Sequence, residues 1–306
     1  MTKVLITGGS GLLGNAISNI LLKNNYEVVW LSREAGTKTM PNAQIIKKYK
    51  WDVEKQFIDE AAFENVEQII HLAGAGIADK KWTDAYKNEI INSRIKSSEL
   101  LFNYITKLNA PIKTFVGASA VGYYGAIQSE KLITEEERPY TDFLAQACIA
   151  WENSYKPIID KGIRTPIIRI GVILSTHGGA YKKMISPFKF NLGSSIGSGK
   201  QYLPWIHIND VANIFVHVLQ NASLNQTYNA VATELVTMDT FTKQLAKSIH
   251  RLKFLPKVPT FILKLVMGES HLMVTEGLKI SNQKIKTTGF KFEFESLSQA
   301  LNDLAK

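Results

Sequence analysis

The sequence predicts an α/β protein, a doubly wound parallel sheet of the Rossmann type with a smaller, mostly helical carboxyl-terminal lobe. Two observations predict it. Short β-rich runs alternate with helix-length amphipathic stretches through residues 1–170, a pattern that builds a parallel sheet covered by helices on both faces. A glycine-rich turn also stands at the first strand-to-helix junction, on the edge of the sheet where such folds take up ligands.

Runs 3–7, 27–32, 44–48, 68–72, 113–117 and 164–170 read as strands, being short, apolar and rich in β-branched residues. Between them, 12–23, 90–108 and 142–161 carry helical spacing. The pattern changes after Ile170. Residues 171–204 are rich in Gly, Ser and Lys, with one helix expected over 180–191. Helical spacing returns over 208–220, where Asn209 is placed to cap it, and dominates from Val236 through 238–250, 259–267 and 296–304. The expected division is a dinucleotide-binding domain over 1–170, to which 206–222 returns. Residues 171–205 and 223–306 then form a substrate lobe and carboxyl-terminal module.

Composition narrows the class. The 306 residues are 45% hydrophobic and 21% charged, the balance of a globular protein, and no apolar run reaches the ~18 residues of a membrane span. The amino terminus, MTKVLITGG, runs straight into glycines without a secretory pattern, so a cytoplasmic protein is expected. A single cysteine, Cys148, forms no intrachain disulfide and no thiolate metal site, and no metal is expected. The net charge of +9 is scattered; the densest cluster, Lys47, Lys48 and Lys50, lacks an aromatic platform, which argues against nucleic acid. The expected partner is a small-molecule substrate; a homodimer is left open.

Gly8-Gly9-Ser10-Gly11-Leu12-Leu13-Gly14 follows a strand and opens a helix, with Gly8, Gly11 and Gly14 three apart. Glycine turns the chain sharply and admits a pyrophosphate without a Cβ in its path. The helix start offers free N–H groups and the positive end of its dipole. The end of the second strand selects the cofactor. There, Ser32 and Arg33 suit a 2′-phosphate, which a guanidinium grips bidentately, so NADP is expected; neighbouring Glu34 keeps NAD open. Asp52 is placed for the adenine edge, and an ordinary turn aspartate fits it equally well.

These features resemble the extended short-chain dehydrogenase/reductase superfamily, whose small-residue run after the fourth strand matches His71-Leu72-Ala73-Gly74-Ala75-Gly76 and whose serine after the fifth matches Ser119. A narrower resemblance covers nearly the whole chain. Gly74-Ala75-Gly76-Ile77-Ala78-Asp79-Lys80-Lys81-Trp82, Ser119-Ala120-Val121-Gly122-Tyr123-Tyr124-Gly125, Asp142-Phe143-Leu144-Ala145-Gln146 and Arg169-Ile170-Gly171-Val172-Ile173-Leu174-Ser175 are similar to signatures of the atypical, SulA-like NAD(P)-dependent epimerase-family proteins. So are Gly197-Ser198-Gly199 and Trp205-Ile206-His207-Ile208-Asn209-Asp210, and the tail resembles that group's own carboxyl-terminal module.

The resemblance implies a cofactor held by Gly8, Ser10, Gly11, Leu12, Leu13, Gly14, Arg33, Asp52, Ala73, Gly74 and Ala75. It implies an NADP-dependent oxidoreductase or epimerase-like enzyme for a small carbonyl or hydroxyl compound or a nucleotide sugar. In the wider superfamily a Tyr-x-x-x-Lys pair moves the proton as hydride moves at the nicotinamide. With Glu152 aligned to the acid after that lysine, Leu144 and Cys148 stand at the pair's positions, and neither serves. The alternative is a dinucleotide-binding regulator or scaffold with little turnover.

The catalytic candidates that remain are Ser119, Tyr123 or Tyr124 as proton donor, and Lys81 as a source of positive charge. For Tyr123 a packing role fits as well, and for Lys81 a solvated loop lysine fits better. The substrate entrance is expected between these residues and a loop around Trp205. Arg169 is expected either to bind a phosphate or to pair with a buried acid, with the structural role preferred; His71 is expected to be a satisfied core histidine, and His207 and Asp210 to be structural. Residues 193–200 read as a loop able to close over an anionic substrate or as plain surface.

Overall fold

The computed structural model describes residues 1–41, 43–190, 192–251 and 255–306. The chain enters on β1 (Lys3–Thr7), buried along its length, turns through glycines into α1 (Leu12–Lys23) and returns parallel to β1 on β2 (Glu27–Ser32). A short β3 (Gly36–Thr39) runs antiparallel to β4 (Ile45–Asp52), which lies parallel to β2; β5 (Phe57–Ile58) pairs with the end of β4. The chain then crosses to the other side of β1 on β6 (Val66–His71). It continues through α2 (Asp84–Lys107), β7 (Thr114–Ala120), β8 (Gln128–Ile133), α3 (Phe143–Asn153), α4 (Lys156–Asp160) and β9 (Ile167–Ile170).

The remainder runs β10 (Val172–Leu174), α5 (Gly179–Lys189), β11 (Tyr202–Leu203), β12 (Trp205–His207), α6 (Ile208–Gln220) and β13 (Thr227–Ala230). It ends with β14 (Val236–Thr237), α7 (Met238–Ser248), α8 (Thr260–Met267), α9 (Leu272–Thr275), β15 (Gly277–Ile280), α10 (Gln283–Thr287) and α11 (Leu297–Leu304). Among the described residues the main sheet has the order β13-β9-β7-β6-β1-β2-β4-β3, with β5 also pairing with β4, and is parallel except where β3 and β5 meet β4. The strand order reverses between β1 and β6, so the carboxyl ends of these two strands open the crevice that binds ligands in open α/β sheets.

Helices form where apolar residues line one face. In α6, Val211, Ile214, Phe215, Val218 and Leu219 are buried at i, i+3, i+4, i+7 and i+8, and the helix packs on α1. α2 packs on α3, supplying the second helical layer. α11 opens with a capping box between Ser296 and Gln299.

Several expectations change. The cap of α6 is His207, whose ring accepts the Asn209 N–H at 3.2 Å, because Asn209 already lies within the helix. The stretch 142–161 is two helices broken after Asn153, with Asp142 capping the first through Ala145 N–H at 2.9 Å. The helix expected over 180–191 runs from Gly179 to Lys189, and Asn191 lies outside the described residues. The carboxyl-terminal part carries strands besides helices: β15 pairs with β8, β14 with β11, and β13 joins the main sheet beside β9. These strands are too short for alternation to announce them. Trp205 is not in a loop; it lies 1% exposed in β12, inside a second core with Tyr181, Phe241 and Leu301, its indole N–H bonded to the Glu234 carbonyl.

Candidate cofactor cleft and catalytic corner

The glycine turn is built as a cradle. Gly8 takes φ +69°, open to glycine, and its carbonyl accepts the Gly11 N–H at 3.0 Å. A Cβ on Gly14 would lie 2.4 Å from the Gly8 oxygen, so α1 seats directly on the turn. A Cβ on Gly9 would enter the Trp30 indole, which donates to Ser18 Oγ at 2.9 Å and ties α1 to β2. Gly11 caps α1 without a side-chain hydrogen bond, and no acid occupies the first turn. The first-turn N–H groups therefore have no side-chain acceptor at the cap, and the helix dipole there is uncompensated. A cavity of about 200 Å³ opens on this spot, lined by Gly8, Gly11, Leu12, Leu13, Gly14, Leu72, Ala118, Trp151 and Ile170. Backbone amides, a bare Gly11 and an apolar far wall fit a diphosphate carrying a flat ring. Ser10 is exposed on the turn.

At the end of β2, Ser32 is half-buried and Arg33 exposed, next to exposed Glu34. Asp52 closes β4, and its carboxylate accepts the Lys55 N–H at 3.0 Å, the work of a turn aspartate. In the loop after β6, the Ala75 N–H donates to Ser93 Oγ, its carbonyl accepts from Arg94, and the Gly76 carbonyl accepts the Tyr86 hydroxyl. Ala73 N–H reaches Thr7 Oγ1 at 3.2 Å. His71 is fully buried, bonded to Thr7, Ser97 and Ser98, and burial pushes its pKa down to about 3: a satisfied core histidine.

The catalytic corner holds a buried network. Ser119, 1% exposed at the end of β7, donates its hydroxyl to Glu152 Oε1 at 2.7 Å. Glu152 takes Arg169 bidentately, with both nitrogen–oxygen distances 2.9 Å. Arg169 also donates to the Tyr124 hydroxyl at 2.9 Å, and Tyr124 donates to Asn229 Oδ1 at 2.8 Å. Burial pushes the Tyr124 phenol up to about 12, despite Arg169. Burial alone would lower the Arg169 pKa; the Glu152 carboxylate more than reverses this. The guanidinium carbon stands 3.4 Å above the Tyr123 ring centre, leaving that ring half-buried with one face covered.

Ser119 and Tyr123 are thus brought together, and Tyr124 is engaged in structure. Lys81 is exposed in the loop before α2, with no contact to either among those the structure records. Tyr140 is 43% exposed, packing on Gly125. Leu144 joins an apolar cluster with Trp82, Tyr86 and Ala147, and Cys148 sets its thiol against the Ala120 carbonyl at 3.6 Å. Burial and the Glu152 charge push that thiol up to about 12, so it stays neutral. Asp210 accepts N–H bonds from Glu293 and Phe294, and His207 packs on Phe294, both structural roles. Trp151, Ala118, Ile170 and Arg94 were not picked out from the sequence. They meet only through sheet order, although the helical offset between Cys148 and Trp151 put the tryptophan on the cleft side of α3.

Comparison with known proteins identifies the family. Residues 4–231 match the model of the NAD dependent epimerase/dehydratase family, and 258–304 match a domain of unknown function, DUF1731. The epimerase family protein YfhF of Bacillus subtilis is 34% identical over 98% of this chain and 97% of its own. The human epimerase family protein SDR39U1 is 30% identical over 99% of both chains. A crystal structure of the human protein (isoform 2) with NADPH superposes with a TM-score of 0.87, covering 99% of each chain at 28% identity. UDP-glucose 4-epimerase from Thermotoga maritima shares the fold, with a TM-score of 0.78 at 18% identity over 99% of this chain and 97% of its own. The chain therefore belongs to the NAD dependent epimerase/dehydratase family, in its branch with the DUF1731 carboxyl-terminal domain.

Proposed function

We propose that this chain is an NADP-dependent oxidoreductase or epimerase-like enzyme acting on a small carbonyl or hydroxyl compound or a nucleotide sugar. The glycine cradle over the 200 Å³ cavity carries the reading, because packing accounts for Gly9 and Gly14 but not for Gly11, whose missing side chain leaves the start of α1 open to the cavity. When bound, the nicotinamide supplies hydride transfer.

The chain's residues do the rest. Gly8, Gly11 and Gly14 admit the diphosphate to the amides of Leu12 and Leu13. Ser32 and Arg33 take the 2′-phosphate, in keeping with the NADPH named in the human relative's structure. Ala73, Gly74 and Ala75 support the cofactor's flank, while Leu72, Trp151 and Ile170 keep water from the reacting face. Ser119 holds a substrate oxygen by turning its hydroxyl from Glu152, and Tyr123, whose ring packs on Arg169 beside it, supplies the proton. Lys81 adds loop charge.

A second reading is a dinucleotide-binding regulator with little turnover. Leu144 and neutral Cys148 favour it, as does a Ser119 hydroxyl already given to Glu152. The test is calorimetric titration with NADPH and NADH, followed by NADPH oxidation against carbonyl compounds and nucleotide sugars. Tight NADPH binding with turnover supports the enzyme; binding without turnover on the whole panel supports the regulator. Failure to bind either dinucleotide at millimolar concentration removes both.

A further inference from the structure

Beside the cavity lies a cation with no ion-pair partner among the described residues. Arg94, on α2, stacks its guanidinium 4.6 Å over the ring of Trp151, which lines the cavity. It presses against the loop after β6 so closely that a Cβ on Gly74 would lie 3.0 Å from its Cζ. Only Nη1 is used within the protein, donating to the Ala75 carbonyl at 3.1 Å and the Ile90 carbonyl at 2.8 Å. Nε and Nη2 bond to no other described residue, and neither is sealed from solvent.

Every titratable group the guanidinium faces is uncharged at neutral pH. Burial keeps the Cys148 thiol and the phenols of Tyr86 and Tyr155 protonated, and keeps His71 neutral. Glu152, on the neighbouring α3, is committed to Arg169 and Ser119. A half-buried charge with unused donors, held in place by an aromatic face and a bare glycine, is organised for oxygens that come from outside the chain.

We propose that Arg94 is a positioning residue for the nicotinamide half of the dinucleotide, donating through Nε and Nη2 to oxygens of that half, its ribose hydroxyls or adjoining phosphate. The proposal rests on the dinucleotide reading above. It places the charge on α2, where the chain has one, instead of at position 148, where it has none.

The test is calorimetry on the full chain with two probes, NADPH and adenosine 2′,5′-bisphosphate, which lacks the nicotinamide half. Arg94→Gln should weaken NADPH by about tenfold to a hundredfold, the scale of one or two charged hydrogen bonds, and leave the bisphosphate unchanged. Arg94→Lys, which keeps the charge, should recover most of the loss. Unchanged NADPH affinity in Arg94→Gln overturns the proposal, and so does equal weakening of both probes, the mark of a merely structural residue. Should Arg94→Gln melt below the assay temperature, the same comparison in Arg94→Lys decides: full loss of NADPH affinity with the charge kept overturns the assignment. A wild-type chain that binds neither probe overturns the dinucleotide reading itself, an outcome separate from a wild type that binds both and a variant that does not differ.

Discussion

Two glycines three residues apart in sequence, Gly11 and Gly14, separate ligand binding from packing. An ideal Cβ on Gly11, whose φ of −72° any residue adopts, meets only the Gly8 oxygen, at 3.2 Å, and otherwise enters the cavity. The same atom on Gly14 lies 2.4 Å from the Gly8 oxygen and 2.6 Å from Gly9 Cα. Since contacts relax near about 3.5 Å, Gly14→Ala needs roughly 1 Å of backbone displacement, an overpacking cost of about 1–3 kcal/mol. Gly11→Ala loses only the preference for glycine over alanine at a helix cap, about 0.5–1 kcal/mol. At roughly 2 °C per kcal/mol in a chain of this size, melting should fall by about 2–6 °C for Gly14→Ala and about 1–2 °C for Gly11→Ala. NADPH affinity, measured by calorimetry well below both transitions, should drop at least tenfold in Gly11→Ala, about 1.4 kcal/mol, because the methyl stands in the phosphate's path. A Gly11→Ala chain that melts and binds NADPH as wild type would show that the diphosphate lies elsewhere.

Arg33→Ala should weaken NADPH by about 1–3 kcal/mol and leave NADH nearly unaffected, as titration of both cofactors would show; equal loss would remove Arg33 from the 2′-phosphate. Glu152→Gln leaves the buried Arg169 charge uncompensated and should destabilise the fold by about 3–5 kcal/mol in chemical denaturation, whereas a loss below about 1 kcal/mol would mean that water reaches the pair. Burial holds His71 at about 3 and His207 at about 4, below the free value of 6.5, so the unfolded chain binds more protons and stability drains as pH falls from about 6.5 towards 3. Asp210, raised to about 6 by burial, opposes this between about 4 and 6; urea midpoints should still fall below pH 6, and His71→Asn should flatten the decline. A midpoint that holds steady from pH 7 to pH 4 in the wild type would contradict the assigned burial of these rings.

The sheet was legible because β1, β2 and α1 are written in long, unbroken apolar periods whose predicted bounds agree with the structure residue for residue. The glycine cradle was legible for a related reason: a turn that admits no Cβ leaves glycines at fixed spacing. Strands of two to four residues, such as β11, β14 and β15, carry too few positions for any period, and their pairing is decided by distant partners. The corner at Ser119 was half legible. The sequence leaves Arg169 between a phosphate and a buried acid; that the acid is Glu152, and that it also takes the Ser119 hydroxyl, depends on β7, β9 and α3 meeting in space. Arg94 left no signal because its surroundings, Gly74, Trp151 and Cys148, are scattered along the chain.

The departures at positions 144 and 148 form one coupled set with their neighbours. Leu144 packs in an apolar cluster that includes Ala75 and Ile77, whose neighbouring Gly76 and Ile77 carbonyls already accept from Tyr86 and Trp82, so a tyrosine hydroxyl at 144 would have to compete for a partner. A lysine at 148 would add a second cation to the space already charged by Arg94, while the carboxylate within reach, Glu152, is saturated by Arg169 and Ser119. Each substitution is therefore consistent with the others, and restoring one alone would bury an unpaired polar group. The cation beside the cleft stands on α2, not α3, and Glu152 clamps β7 to β9 through Ser119 and Arg169. On the proposed assignment of Arg94, that arrangement keeps a positive charge beside the cofactor cleft without the Tyr-x-x-x-Lys pair, and Tyr123 is the proton donor proposed in its place.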